Sequence, residues 1–180
     1  MFVTLRDETG APLNYVGMAL GWDPARRRLF GGPVENIDLN AAALLFSGAD
    51  IVDVVYHEQL TSRDGSVRHH GDSVTGEGKG DIETITVDLT RLSPQVTNVI
   101  FLVTSYSGQT FEQIDNAFCR LVDGVGAEIA RYDLEHGEHT GFVMGRLFPV
   151  EGAWHYEPIG AAIFAEHPVE AVSQVTRYLA

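Results

Sequence analysis

The sequence predicts a mainly β fold, an antiparallel β-sandwich with one short connecting helix and a C-terminal helix. Three observations lead there. Apolar and polar residues alternate over short runs, as where Ile85, Val87 and Leu89 interleave with Thr84, Thr86 and Asp88, which is the two-residue period of a strand with one buried face. Turn formers recur every several residues, with 19 Gly and 7 Pro, too densely for long helices or for the crossover helices of a parallel sheet. Finally, 44% hydrophobic and 9% aromatic content across 180 residues supplies one full core and argues against disorder. With no repeat and no linker in view, residues 1–180 read as a single domain.

Taken in order, Phe2 to Leu5 reads as a short strand and Asp7 to Pro12 as the turn after it. Tyr15, Val16, Met18 and Leu20 form an apolar run that Pro24 stops, because proline removes a ladder donor. Arg26 to Arg28 and Gly31-Gly32-Pro33 make a loop. From Ile37 to Phe46 the chain reads as one strand, with Ile37 and Leu39 on one face and Asp38 and Asn40 on the other. Its alanine-rich middle also suits a helix, and its shortness selects strand. Ile51 to Tyr56 is a β-branched strand, Thr61 to Gly65 a turn, and Ile85 to Leu89 and Val99 to Val103 two further strands. Thr110-Phe-Glu-Gln113 has capping-box spacing and predicts a connecting helix over Phe111 to Asn116. Ala117 to Asp123 and Ala127 to Asp133 flank Gly124-Val125-Gly126 as a hairpin, and Gly141 to Phe148 and Trp154 to Pro158 flank the turn Pro149 to Gly152. Val169, Val172, Val175, Thr176 and Leu179 recur at helical spacing and predict a C-terminal amphipathic helix.

Charge and cysteine content narrow the function. Twelve Lys and Arg against 25 Asp and Glu give a formal charge of −13, which disfavours nucleic acid and anionic membranes as direct partners and favours divalent cations. Cys119 is alone, so no internal disulfide or two-cysteine metal site exists, and a reducing cytoplasm is the expected compartment. The N-terminus carries acid where a secretion signal has a basic region, and no apolar run reaches the roughly 18 residues of a membrane helix.

The most informative stretch is Gly71 to Glu83, Gly-Asp-Ser-Val-Thr-Gly-Glu-Gly-Lys-Gly-Asp-Ile-Glu. Asp72, Glu77, Asp81 and Glu83 set four carboxylates against Lys79, while the glycines let the backbone turn its carbonyls inward. Hard Ca²⁺ takes six to eight oxygens of mixed type, and this composition meets that demand; a solvated acidic turn is the plainer alternative. No Asp-x-Asp-x-Asp-Gly run marks an EF-hand, and Ser73 and Gly80 break a P-loop pattern. Asp38 and Asn40 add two oxygen-bearing side chains on one strand face. The seven histidines show no zinc spacing, and His69 and His70, being adjacent, point in opposite directions. Cys119 reads as a buried thiol, and Ser105-Tyr-Ser-Gly108 lacks a nucleophile elbow.

Together with Gly-Trp-Asp at 21–23, Asp-Leu-Asn-Ala-Ala-Ala-Leu-Leu-Phe at 38–46, Asn-Ala-Phe-Cys-Arg-Leu-Val-Asp at 116–123 and Gly-Arg-Leu-Phe at 145–148, the acidic loop resembles the TerD family over nearly the whole chain. The resemblance implies a calcium-binding β-sandwich of the tellurite-resistance and stress-response type, with no enzymatic activity assigned to its motif. It implies a metal set drawn from Asp23, Asp38, Asn40, Asp72, Ser73, Asp81 and Glu83. Asn40 stands where the family pattern has Asp, Ser73 where it has Asn, Lys79 where Asp is common, and Ile82 interrupts Gly-Asp-Asp-Glu. One strong ion and a weaker second are therefore expected. The expected function is non-enzymatic calcium binding that shapes the surface for an unidentified protein partner. Its rivals are a metal-dependent enzyme acting on a phosphate or other anion, and a metal-free interaction module. Asp81 and Glu83, two residues apart, are expected to face the same side.

Overall fold

A computed structural model of the chain describes residues 1–24, 36–71, 81–134 and 137–179. Among these, eleven strands form two antiparallel sheets. The strands are β1 (Val3–Thr4), β2 (Tyr15–Gly21), β3 (Leu39–Ser47), β4 (Asp50–Val55), β5 (Val67–His69), β6 (Glu83–Asp88), β7 (Asn98–Ser105), β8 (Phe118–Asp123), β9 (Glu128–Asp133), β10 (Gly141–Val150) and β11 (Ala153–Ile163). One sheet runs β1-β11-β10-β7-β3-β4 and the other β5-β6-β2-β8-β9. The antiparallel β-sandwich expected from the alternation is the fold.

The main core lies between the sheets. Leu39, Ala41, Ala43 and Leu45 of β3 meet Phe101 and Val103 of β7 and, from the opposing sheet, Met18, Leu20, Ile85, Val87, Cys119 and Leu121. A second, smaller core covers the outer face of the first sheet, where Ala42, Leu44, Phe46, Ile100 and Leu102 pack with Ala171 and Val175 of the helix α1 (Pro168–Val175). This second layer explains the alanine run of β3. Every residue from Leu39 to Phe46 is buried, so the strand shows a continuous apolar run, as strands covered on both faces do. The helix buries Val175 and packs Val172 against the same core, as the valine periodicity implies, but it also buries Ala171 and leaves Val169 65% exposed.

Two local differences have simple causes. The connecting helix is a single 3₁₀ turn, Phe111–Gln113, in which Gln113 Oε1 accepts the Thr110 N–H at 2.9 Å. It ends before Asn116, whose φ of +52° is incompatible with a continuing helix. The short strand β5, absent from the sequence reading, forms because Val67 to His69 pair with Ile85 to Val87 of β6, a tertiary pairing that three residues alone do not announce. Gly145 is required by a close approach: a Cβ there would overlap the ring of Tyr156, whose hydroxyl meets Tyr132 Oη at 3.0 Å in the core.

A candidate metal centre at one rim

The strand registers bring the oxygen-bearing residues to one end of the sandwich. Leu20 pairs with Glu83 and Gly21 with Phe118, while Leu39 pairs with Ser105. The end of β2, the starts of β3, β6 and β8 and the end of β7 therefore lie at one rim. Two bonds tie the sheets together there. Trp22 Nε1 donates to the Ile37 carbonyl at 3.1 Å, and the Ala41 N–H donates to Glu83 Oε2 at 3.0 Å. Asp23, Asp38, Asn40, Asp81 and Glu83 all belong to this rim. Asp72 and Ser73 lie outside the described residues.

The five described residues differ in surroundings. Glu83 is buried, and its Oε2 also lies 3.4 Å from His69 Nε2, both side chains being fully enclosed. Because His69 Nδ1 accepts the Gly71 N–H at 3.1 Å, the neutral ring carries its proton on Nε2 and presents it to Glu83. His70 points the other way, to Thr86 Oγ1 at 2.8 Å on the outer face. Asp81 does not share the side of Glu83. Both its oxygens are taken by the Arg120 guanidinium, at 2.9 and 2.5 Å, and Arg120 alternates with the buried Cys119 and Leu121 on β8, so it draws Asp81 to the outer face. The hydrogen bond from Arg120 to Asp81, reinforced by the charges of Asp81 and Glu128, raises the guanidinium pKa further. Asp23 Oδ2 accepts from Asn116 Nδ2 at 2.6 Å, and its N–H is bound by the Asp115 carbonyl at 2.9 Å.

Asp38 and Asn40 share the outer face of β3, with Asn40 Nδ2 at 3.3 Å from Asp38 Oδ1. Asn40 is fully buried, yet its Oδ1 has no hydrogen-bond partner among the described residues. Directly across the ladder stands Thr104 of β7, also fully buried, and its Oγ1 is likewise without a partner among them. Cross-strand partners share a face, with their Cβ atoms about 5 Å apart, so both side chains belong to one buried patch beside Asp38. Thr104 escaped the sequence reading. Its signal was a pair of hydroxyl residues, Thr104-Ser105, closing an otherwise apolar buried strand. Asp115 also joins the rim unannounced, its backbone bound to Asp23.

With this geometry in place, comparison with known proteins gives one answer. The family model described as the TerD domain matches residues 3–167. The chain belongs to the TerD family. It is 42% identical over 167 residues to tellurium resistance protein TerZ of Serratia marcescens, covering 89% of this chain and 86% of that one. It is 35% identical to tellurium resistance protein TerD of the same organism, covering 88% and 90%. Against stress response protein SCP2 of Bacillus subtilis the identity is 31%, with 83% of each chain covered. The crystal structure of a homologue of telluride resistance protein TerD from Streptomyces coelicolor shares the fold, with a TM-score of 0.79 at 24% identity over 91% of this chain and 98% of that one.

The calcium that the TerD resemblance implies can be tested against these residues. Among the described residues no group of three His, Cys, Asp or Glu side chains stands close enough to hold an ion unaided. Carboxylates are not the only donors calcium accepts, however, and amide, hydroxyl and backbone oxygens complete its shell. The unpartnered Asn40 Oδ1 and Thr104 Oγ1 beside Asp38 are hard, neutral oxygens of that kind. A buried oxygen without a partner costs about 1–3 kcal/mol, which a bound cation offsets. The donor chemistry fits a hard cation and, lacking sulfur or a free imidazole cluster, does not suit zinc.

Proposed function

We propose that this TerD-family protein is a non-enzymatic calcium-binding protein whose ion joins the rim segments and shapes that end of the sandwich for a protein partner. The observation that carries the reading is the fully buried, unpartnered Asn40 Oδ1 beside Asp38 and opposite Thr104. Asp38, Asn40 and Thr104 would hold the ion, with Asp23 and Glu83 contributing charge at the rim and Asp72 and Ser73 expected from the acidic loop. Asp81, held by Arg120 on the outer face of the other sheet, stands apart from this group. When bound, calcium supplies positive charge and cross-linking of segments distant in sequence.

The absence of enzymatic activity is supported by the state of the reactive groups. The Cys119 thiol is buried, and burial pushes its pKa well above the usual range, which leaves it protonated and unreactive. Tyr132 and Tyr156 are held to each other, with burial raising both. His69 and Glu83 form an enclosed pair with fully buried side chains, so no substrate reaches them. A cytoplasmic location is part of the proposal, supported by the lone cysteine. Among the described residues no helix is long and apolar enough to cross a membrane.

Calorimetric titration of chelator-treated protein with calcium tests the proposal. The expected result is saturable binding that is stronger for calcium than for magnesium, since a flexible mixed oxygen set suits the larger ion. Absence of heat, or equal affinity for both ions, overturns it.

A further inference from the structure

A second site lies on the outer face of the other sheet. Tyr15, Arg68, His70, Thr86, Asp88 and Arg91 are among the residues lining a groove of about 370 Å³ there. Registry places them together: Arg68 of β5 pairs with Thr86 of β6, and Tyr15 of β2 pairs with Asp88. Gly17 is the other partner of Thr86, and an added Cβ there would press on Val122 at 3.2 Å. The groove extends along β6 toward Asp88, away from Glu83 and the rim.

Its charge is unusual for this chain. Cations are outnumbered 12 to 25, and Arg120, Arg131 and Arg146 are each engaged by carboxylates. Arg68 makes no ion pair among the described residues, yet it faces the groove together with Arg91. The one carboxylate among the described lining residues, Asp88, is already satisfied: its Oδ1 accepts the Thr90 N–H at 3.0 Å and the Thr90 hydroxyl at 2.6 Å, and Tyr15 adds a further hydrogen bond. Asp88 offsets one positive charge and leaves the second uncompensated. Two guanidinium forks, an imidazole bonded to Thr86 Oγ1 and a phenol around a small open volume match the directional acceptors of a tetrahedral oxyanion.

We propose that this groove binds a small dianionic oxyanion of the phosphate class, free or as the terminal group of a monoester. Arg68 and Arg91 clamp the oxygens, and His70, Thr86 and Tyr15 supply the remaining polar contacts. An extended acidic peptide is a poorer fit, because both guanidiniums sit in one small groove rather than along an extended track.

The test is titration of the full chain with inorganic phosphate in calcium-free buffer, followed by backbone amide chemical shifts. Saturable shifts centred on Arg68, His70 and Thr86, with a Kd of about 1 mM, are expected. Arg68→Gln should weaken binding about tenfold, Arg68→Lys should weaken it less because charge remains without the fork, and Arg68→Gln with Arg91→Gln should abolish it. Both arginines are exposed, so melting temperature in the absence of phosphate should be unchanged. Phosphoserine serves as the second probe: tighter binding than phosphate assigns the groove to an esterified group, and equal or weaker binding to the free anion. Lack of saturation with either probe, or unchanged affinity in the double variant, overturns the proposal.

Discussion

Replacing Asn40 by Leu should separate the stability of the metal-free protein from its response to calcium. In the absence of metal the substitution removes a buried oxygen that has no partner among the described residues, a gain of about 1–3 kcal/mol, and loses the 3.3 Å bond to the Asp38 carboxylate, a loss of about 1.5–3 kcal/mol. The two nearly cancel, so the metal-free variant should melt close to wild type. Calcium at a hundredfold excess over Kd stabilises wild type by about 2.7 kcal/mol. An unfolding entropy of about 2.1 cal/mol/K per residue over a chain of this length converts that to a rise of about 7 °C. Loss of one ligand oxygen lowers affinity by about tenfold, or about 1.4 kcal/mol, and cuts the rise to about 3–4 °C. Differential scanning calorimetry of both proteins should thus show near-equal stability with chelator and a gap of about 3–4 °C in favour of wild type with calcium. An equal calcium-dependent rise in the two proteins refutes the assignment of Asn40 Oδ1 as a ligand.

Four other outcomes follow from particular contacts. Arg120→Gln frees the Asp81 carboxylate on the outer face of the other sheet and should leave the calcium Kd unchanged by calorimetry; tighter binding puts Asp81 in the metal shell. Gly145→Ala should lower stability by about 1–3 kcal/mol through overpacking against Tyr156, read from the urea midpoint, and an unaltered midpoint contradicts the close approach. Cys119 should resist a bulky thiol reagent until denaturant is added, being fully buried, whereas rapid native labelling contradicts the burial of β8. For Asp64, burial pushes the pKa up, but hydrogen bonds from Ser66, Ser62 and Ser93 outweigh it and hold the carboxyl below its ordinary value. The folded pKa is thus below the unfolded one, so Asp64 contributes stability above about pH 4 that is lost as pH falls through the folded value. Asp64→Asn should therefore lose less stability on acidification from roughly pH 6 to pH 3 than wild type does, and a parallel acid profile counts against the linkage.

Much of this molecule is written in local pattern. The strand of Ile85 and Val87, the hairpin around Gly124 to Gly126 and the break after Gly21 are set by side-chain alternation and by residues whose backbone preferences act within a few positions. The acidic, glycine-rich stretch and the family resemblance likewise needed nothing but order along the chain. What the sequence left open are relations between distant residues. Alternation places Asp38 and Asn40 on one face, but it cannot show that Thr104 stands across the ladder, because that depends on the β3–β7 register. It places Asp81 two residues from Glu83, but Arg120, 39 positions away, draws Asp81 to the outer face, while Ala41 and His69 hold Glu83 inside. The helix periodicity marked Val169, Val172 and Val175 as inward; packing against the first sheet kept Val172 and Val175, left Val169 exposed and added Ala171. Propensity and periodicity act over a turn or a strand, whereas the choice of which oxygens meet is made by the pairing of strands and by the free energy of leaving a buried polar atom unmatched.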